Sequence, residues 1–286
     1  MRVLGFGDNI VDRFIDRGVD YPGGNSVNVA VYARRLGLES AYLGVFGDDS
    51  LGRFLRESIA AEGVSIDACV VRAGESGVSH LRVDDGDRVF LGWNGGGVTV
   101  REPLVLNDGL LGYVSGFDLV HSSVYSRSEP ELPKLAALRT LVSFDLSSEE
   151  EYRRPAYLDR VCPYADLVLL SCSDLDEAAT GDLLAEAVRR GARLAVGTRG
   201  VGGAVAHDGY ALVSAPAQRA DGIVDTMGCG DAFLAGFAVS LLRDGWTSTA
   251  RPEPDQIARA LRRGAESARD QCFVEGAFGH GRLTTM

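Results

Sequence analysis

Apolar stretches of strand length recur along this chain with a helix-patterned stretch between them, and that alternation restricts the fold more than any other feature. Ala41 to Val45 runs through Gly47-Asp48-Asp49 into a helix of about Leu51 to Ala61, with Leu51, Phe54, Leu55, Ser58 and Ile59 setting the spacing. Leu119-Val120 with His121 reads as a strand end, followed by a helix near Glu131 to Leu138. Leu141 to Phe144 then ends in Asp145, and Asp166 to Leu170 and Leu194 to Gly197 continue the series. Strands separated by helices build a largely parallel sheet with helices on both faces, so the expected class is α/β. Ligands of such sheets gather beyond the carboxyl ends of the strands.

The 286 residues, 45% hydrophobic, are enough for a well-buried core. With no repeat, linker or low-complexity run, residues 1–286 are expected to form a single domain. Forty acidic against 29 basic residues give a formal charge of -11, and no Lys/Arg cluster forms a basic stripe, which argues against a nucleic-acid partner. Cys69, Cys162, Cys172, Cys229 and Cys272 include no C-x-x-C pair, so they read as reduced thiols rather than a disulfide framework or a zinc site. Arg2 to Phe6 enters directly into a strand without a charged leader, and no window holds eighteen uninterrupted apolar residues. A soluble, cytoplasmic protein without a membrane partner is expected.

The stretch Asp225-Thr226-Met227-Gly228-Cys229-Gly230-Asp231 precedes apolar residues at helical spacing. Its two glycines allow a tight turn, so the NH groups of Gly228 to Asp231 should converge at a helix N-terminus, which is an anion site. A carboxylate at the mouth of an anion site repels a plain phosphate ligand. It makes sense if Asp231 removes a proton from an attacking hydroxyl. The competing reading is a simple helix-capping Asp, worth about 0.3–1 kcal/mol.

Near the start, Arg2 to Gly7 reads as a buried strand ending in the polar loop Asp8 to Asp12. Gly5 and Gly7 satisfy half of a dinucleotide-binding G-x-G-x-x-G, but Ile10 occupies the third glycine position. Tyr21-Pro22-Gly23-Gly24-Asn25-Ser26-Val27-Asn28 then leads into a helix to about Leu36, which Gly37 stops. The double glycine lets the main chain approach a ligand, and the amides of Asn25 and Asn28 suit sugar hydroxyls. An ordinary Asx-capped helix is the alternative.

Together these stretches resemble the ribokinase-like (PfkB) sugar kinases. Asp225 to Asp231 is similar to their Asp-Thr-x-Gly-Ala-Gly-Asp signature, with Cys229 where the family usually has Ala. The resemblance implies a ribokinase-like three-layer α/β/α sandwich with a small β-sheet lid, here from segments at about 13–22 and 67–93. Only ten residues separate Asp12 from Gly23, so a reduced lid is expected. By the same resemblance Asp12, Gly23, Gly24 and Asn28 bind the sugar, with Asp8 and Asn9 as weaker matches; Arg88, Phe90, Trp93 and Asn94 either reach it from the lid or form a partly exposed lid or dimer face.

Asp231 then acts as the base, with the NH groups of Gly228, Cys229 and Gly230 holding the transferring phosphoryl group. Thr198, Gly200 and Gly203 match a Thr-x-Gly-x-x-Gly segment along the nucleotide phosphates, where Arg199 adds a positive charge. Gly276 matches the adenine wall and the loop that holds a monovalent cation such as K+ in many members. The family's Asn-x-x-Glu segment, which positions Mg2+, is replaced by Ser171-Cys172-Ser173-Asp174-Leu175-Asp176-Glu177, whose acids also make a good helix start. Metal ligands are therefore not assigned.

The implied activity is ATP-dependent phosphorylation of a primary sugar hydroxyl. Gly7-Asp8-Asn9, the short Arg13 to Pro22 interval, the Gly23 to Tyr32 stretch and Asp87-Arg88-Val89-Phe90 resemble members acting on fructosamines such as fructoselysine. A plain ketohexose or pentose kinase, or a non-catalytic sugar- or nucleotide-binding protein, are the alternatives; retention of Asp231 opposes the last. A homodimer through the lid is the expected protein partner, and His80, His121, His207 and His280, without metal-ligand spacing, are expected to be structural.

Overall fold

The computed structural model describes residues 1–84 and 87–284, without the side chains of Asp84, Asp87 and Arg88. Fourteen strands form two sheets among these residues. They are β1 (Arg2–Gly7), β2 (Ile10–Phe14), β3 (Val19–Gly23), β4 (Glu39–Gly47) and β5 (Val70–Arg72). Then come β6 (Val78–Asp84), β7 (Asp87–Trp93), β8 (Leu119–Ser123), β9 (Leu141–Asp145) and β10 (Leu167–Ser171). The last are β11 (Ala195–Thr198), β12 (Ala204–His207), β13 (Leu212–Ala215) and β14 (Arg282–Leu283).

The large sheet has the order β13-β12-β11-β10-β9-β8-β1-β4-β5. It is parallel from β11 to β5, with β12 and β13 added antiparallel at one edge. Its strands are apolar on both faces because both are covered. Leu167 and Leu169 pack with Phe233, Phe237 and Ile257 from the helices Cys229–Arg243 and Pro254–Gln271. Val168 and Leu170 face the other way, toward Leu135, Leu158 and Leu184. A period of two across a sheet covered on both sides gives the continuous hydrophobic runs seen in the sequence. The expected three-layer α/β/α arrangement is therefore present.

The smaller sheet has the order β14-β3-β2-β6-β7. Its residues Val11, Phe14, Tyr21, Val78 and Leu81 share one apolar cluster with Val27, Val31, Phe54 and Leu55 of the helices Asn25–Arg35 and Ser50–Ala61. The short interval before Gly23 is filled by a complete hairpin of two five-residue strands, β2 and β3. One expectation for the lid changes here. Val70–Arg72 pairs with β4 at the edge of the large sheet, not with the small one. Near the end of the chain, Arg282 and Leu283 pair with Asp20 and Val19. Asp85 and Gly86 lie outside the described residues, as does the side chain of Arg88, which was expected to reach the substrate.

Strands β1, β8 and β9 end side by side, and each ends near a polar residue that the large sheet carries to one edge: Asp8, His121 with Ser123, and Asp145. No described helix is long and apolar enough to cross a membrane.

Candidate active site

Above those strand ends the N-termini of two helices meet. The first is Asn25–Arg35, whose opening NH groups need acceptors from outside the helix. Asp8 supplies them: Oδ2 accepts from the Asn25 NH (2.6 Å), and Oδ1 from the hydroxyls of Ser26 (2.8 Å), Ser123 (3.0 Å) and Ser126 (2.7 Å). Both oxygens of Asp8 are thus engaged inside the protein, as is the Asn9 amide, which donates to the Tyr42 hydroxyl and the Val45 carbonyl, each 2.8 Å away.

The double glycine has a geometric cause here. A Cβ on Gly24 (φ 115) would lie 2.7 Å from the Asn9 Cα, and one on Gly23 would lie 2.5 Å from Asp12 Oδ2. The close approach is to the Asp8-Asn9 loop and to the Asp12 carboxylate. Asp8→Ala should leave three buried serine hydroxyls and the helix start without their shared acceptor, a loss of about 3 kcal/mol of stability. Urea unfolding measures this, and a change below about 1 kcal/mol would show that the serines re-pair among themselves.

The second helix, Cys229–Arg243, carries Asp231 in its first turn, buried. The Asn28 amide donates to Asp231 Oδ2 (2.7 Å) and the Asn25 amide to Oδ1 (2.7 Å). Asn25 also donates to Asp145 Oδ2 (2.7 Å), while its Oδ1 faces His121 Nε2 at 2.6 Å; His121 Nδ1 lies 2.9 Å from the Ser143 hydroxyl. Burial holds the Asp231 carboxyl well above its ordinary range, and the charge of Asp145 pushes it the same way, with Asp8 and Asp12 adding to the effect against the Asn28 hydrogen bond.

Asp145 is raised to about 6 by burial, against hydrogen bonds from the Ser147 NH (2.7 Å) and Asn25. The protonated form of Asp145 therefore favours folding: its contribution is complete below the ordinary 3.8 and is lost as pH rises through about 6. Burial lowers His121 to about 3, so its ring is neutral at physiological pH.

The loop that delivers Asp231 is braced from the far end of the chain. Asp225 accepts from the NH groups of Met227 (2.9 Å) and Gly276 (3.0 Å), and the Gln271 amide donates to the carbonyls of Met227 and Gly276, both at 3.0 Å. Gly228 sits in the left-handed region (φ 74) as the residue preceding the helix. A Cβ there would lie 2.3 Å from the Tyr32 hydroxyl, which donates to the Ala277 carbonyl. The Cys229 NH reaches the Thr226 carbonyl at 3.3 Å. The NH groups of Gly230 and Asp231 belong to a first turn in which the helix offers no acceptor, and a Cβ on Gly230 would meet nothing within 4 Å. The result is an open, positively polarised patch of backbone beside a buried carboxylate. Cys229 and Cys272 stand with sulfurs 3.5 Å apart, both as free thiols.

Farther along the same edge, Thr198 ends β11 beside Ser171 of β10, and Gly200–Gly202 forms a single exposed turn closed by Arg199 NH to Gly203 carbonyl at 2.7 Å. The Arg199 side chain is paired with Glu177 (3.1 Å) rather than turned to the open edge. The acids that replace Asn-x-x-Glu have partners too: Asp174 with Arg153 (2.7 Å), and Asp176 capping the helix Glu177–Arg189 through the Ala179 NH (2.8 Å). Among the described residues no group of three or more His, Cys, Asp or Glu side chains could hold a metal ion. These residues do not fit a divalent ion held by protein alone. The carbonyls of Cys272, Gly276 and Ala277 each accept a hydrogen bond within the protein.

The sequence profile of the pfkB family carbohydrate kinases matches residues 14–277. The chain belongs to that family. It is 41% identical over 282 residues to the fructosamine kinase FrlD of Bacillus subtilis strain 168, covering 98% of this kinase and 94% of the relative. The fructoselysine 6-kinase of Escherichia coli K12 is 32% identical over 231 residues, covering 81% and 85%. Among solved structures, the fructokinase of Xylella fastidiosa with bound ATP superposes with a TM-score of 0.79 at 22% identity, covering 97% of this chain and 95% of that one. The aminoimidazole riboside kinase of Salmonella enterica gives 0.73 at 22% identity, covering 97% and 95%. These neighbours share the ribokinase-like fold.

Within the kinase, Asp12, Gly23, Gly24, Asn28, Gly228, Cys229, Gly230 and Asp231 come together around the two helix starts, while Thr198, Gly200 and Gly203 lie along the strand-end edge. Gly276 lies behind the anion loop: its NH and carbonyl are bonded to Asp225 and Gln271, and a Cβ on it would lie 2.6 Å from the Tyr21 ring. Asn94 braces the start of β6, donating to the Ser76 carbonyl and accepting from the Val78 NH, both at 2.9 Å. Phe90 and Trp93 are exposed on the edge strand β7. Asp145 and His121 meet Asn25, which bonds to Asp231, and Ser143 meets His121 in turn; the sequence alone assigns Asp145 and Ser143 no role in the site and His121 a structural one. Their signal was a polar residue inside or ending an apolar strand on the ligand-bearing edge.

Proposed function

We propose that this kinase transfers the γ-phosphoryl group of ATP to the primary 6-hydroxyl of a fructosamine such as fructoselysine. The observation that carries the mechanism is Asp231: a buried carboxylate, oriented by two asparagine amides, one residue from backbone NH groups with no acceptor of their own helix. The sugar hydroxyl gives its proton to Asp231 as its oxygen bonds to the γ-phosphorus, and the bond from that phosphorus to the β,γ-bridging oxygen breaks to release ADP. The NH groups of Gly228, Gly230 and Asp231, with that of Cys229 if its 3.3 Å contact opens, stabilise charge on the transferring group. Asp12, Gly23, Gly24 and Asn28 form the sugar side and Thr198, Gly200 and Gly203 the nucleotide side. Asp8 acts on the sugar side by holding the helix start. Mg2+ offsets phosphate charge and arrives with the nucleotide; no step is assigned to K+.

The fructosamine substrate is supported by the similarity to FrlD over almost the whole chain. The exposed Phe90, Leu91 and Trp93 on edge strand β7 support a second copy of the chain as the lid partner, and sedimentation of Trp93→Lys against the parent protein tests it. Free thiols and the need for ATP fit work in the cytoplasm. The deciding assay is Mg2+- and ATP-dependent phosphorylation of fructoselysine, other fructosamines, fructose, ribose and a nucleoside. Preference for the fructosamines is expected. Preference for a plain sugar would keep the mechanism and discard this substrate class; no turnover with sugar or ATP still bound would favour a binding protein.

A further inference from the structure

The Asn25 amide lies at a junction whose proton positions can be worked out. Its Nδ2 is 2.7 Å from both Asp145 Oδ2 and Asp231 Oδ1, and with both acids ionised, the state in which Asp231 can take a proton, the nitrogen and not the oxygen faces them. Its Oδ1 then faces His121 Nε2 at 2.6 Å, which requires that nitrogen to carry the ring proton. Nδ1 is left as an acceptor for the Ser143 hydroxyl, 2.9 Å away. His121 and Ser143 are fully buried and sit opposite each other on β8 and β9, so the ring has one arrangement in which every partner is satisfied.

We propose that His121 is a positioning residue: through Asn25 it keeps one amide N–H on Asp145 and the other on Asp231, and so holds the base in line for the sugar hydroxyl. This rests on Asp231 being the base. Without the Nε2–H donor, Asn25 Oδ1 would be left unpaired and the amide could turn its oxygen toward the carboxylates, replacing two attractions by two repulsions. The titratable groups facing Asp231 are Asp145 from β9, Asp8 after β1, Asp12 on β2 and Tyr32 on the helix Asn25–Arg35. Three are carboxyls that oppose its ionisation, so the loss of a donor is not offset by any cation among them. Hydrogen bonds to an ionised carboxylate favour that form; losing one raises the pH at which the base becomes available.

The test is the pH profile of sugar phosphorylation by His121→Leu, His121→Gln and Ser143→Ala. For His121→Leu the acid limb of kcat should move up by about one pH unit, with about a tenfold loss at neutral pH and a sugar KM within about threefold of the parent. His121→Gln, whose side-chain N–H can face Asn25 Oδ1, should recover to within about twofold. Ser143→Ala should move the limb in the same direction by less, and carries the test if His121→Leu does not fold. An unmoved acid limb in a folded His121→Leu or Ser143→Ala protein overturns the inference, as does a rise in KM alone. Asp231→Asn is run in parallel: near-normal turnover there would remove the base itself, whereas a silent Asp231→Asn with unmoved limbs removes only the role of His121.

Discussion

Asp231→Asn is expected to lower turnover by about a thousandfold or more, because the variant keeps the shape of the side chain but no longer accepts a proton. The same substitution should stabilise the protein at neutral and higher pH. Asp231 shares its surroundings with Asp145, Asp8 and Asp12, and burial with like charge holds its carboxyl well above the ordinary range. A group raised on folding contributes stability below its unfolded value of 3.8 and loses that contribution as pH rises through the folded one. A neutral amide has no charge to bury, so the gain in unfolding midpoint should be present at pH 8 and absent near pH 3. Lost activity with gained stability would mark Asp231 as a site whose charge is kept for chemistry. Near-normal turnover would remove it from the role of base.

The second large effect belongs to Gly228. An alanine there must hold a left-handed backbone (φ 74) and place its Cβ 2.3 Å from the Tyr32 hydroxyl. The expected cost is about 1–3 kcal/mol of stability, and about a hundredfold in kcat as the NH groups after it shift from the phosphoryl position. Adding Tyr32→Phe removes the clash and the hydrogen bond to Ala277 but leaves the backbone strain, so the double variant should recover only part of kcat. Full recovery would show that crowding, not the turn itself, caused the loss. Unchanged kcat in Gly228→Ala alone would separate this loop from phosphoryl transfer.

Much of this architecture was legible because it repeats a simple rule. Strands covered on both faces must be apolar throughout, so β8 to β11 announce themselves, and the glycine-bearing loops beyond the strand ends stand out against them. Pairing partners were less legible. Val70–Arg72 has a strand pattern, but three residues do not say which sheet they join, and β14 is two residues long with Leu283 exposed. The site divided in the same way. Asp231 and Asn28 lie in motifs whose neighbours declare them. Asp145 and His121 are single polar residues in strands, and their role appears only when parallel pairing sets β8 beside β9 and Asn25 comes down between them. Asp8 looked like a sugar ligand by position; its partners Ser123 and Ser126 are more than a hundred residues away and invisible to local pattern.

The bond from Asn28 to Asp231 joins residues 203 apart in the chain, and that from Asn25 to Asp231 spans 206. A ribosome making this protein at about 5–20 residues per second finishes the Asn25–Arg35 segment about ten to forty seconds before residue 231 exists. Asp145, the other acceptor of the Asn25 amide, and Ser123 and Ser126, the distant partners of Asp8, are made part-way through that interval, but the Asn28 amide has no carboxylate until residue 231 is added. The proposed catalytic centre is therefore among the last parts of the molecule that can form, and a chain halted before residue 231 carries the proposed sugar side without the proposed base.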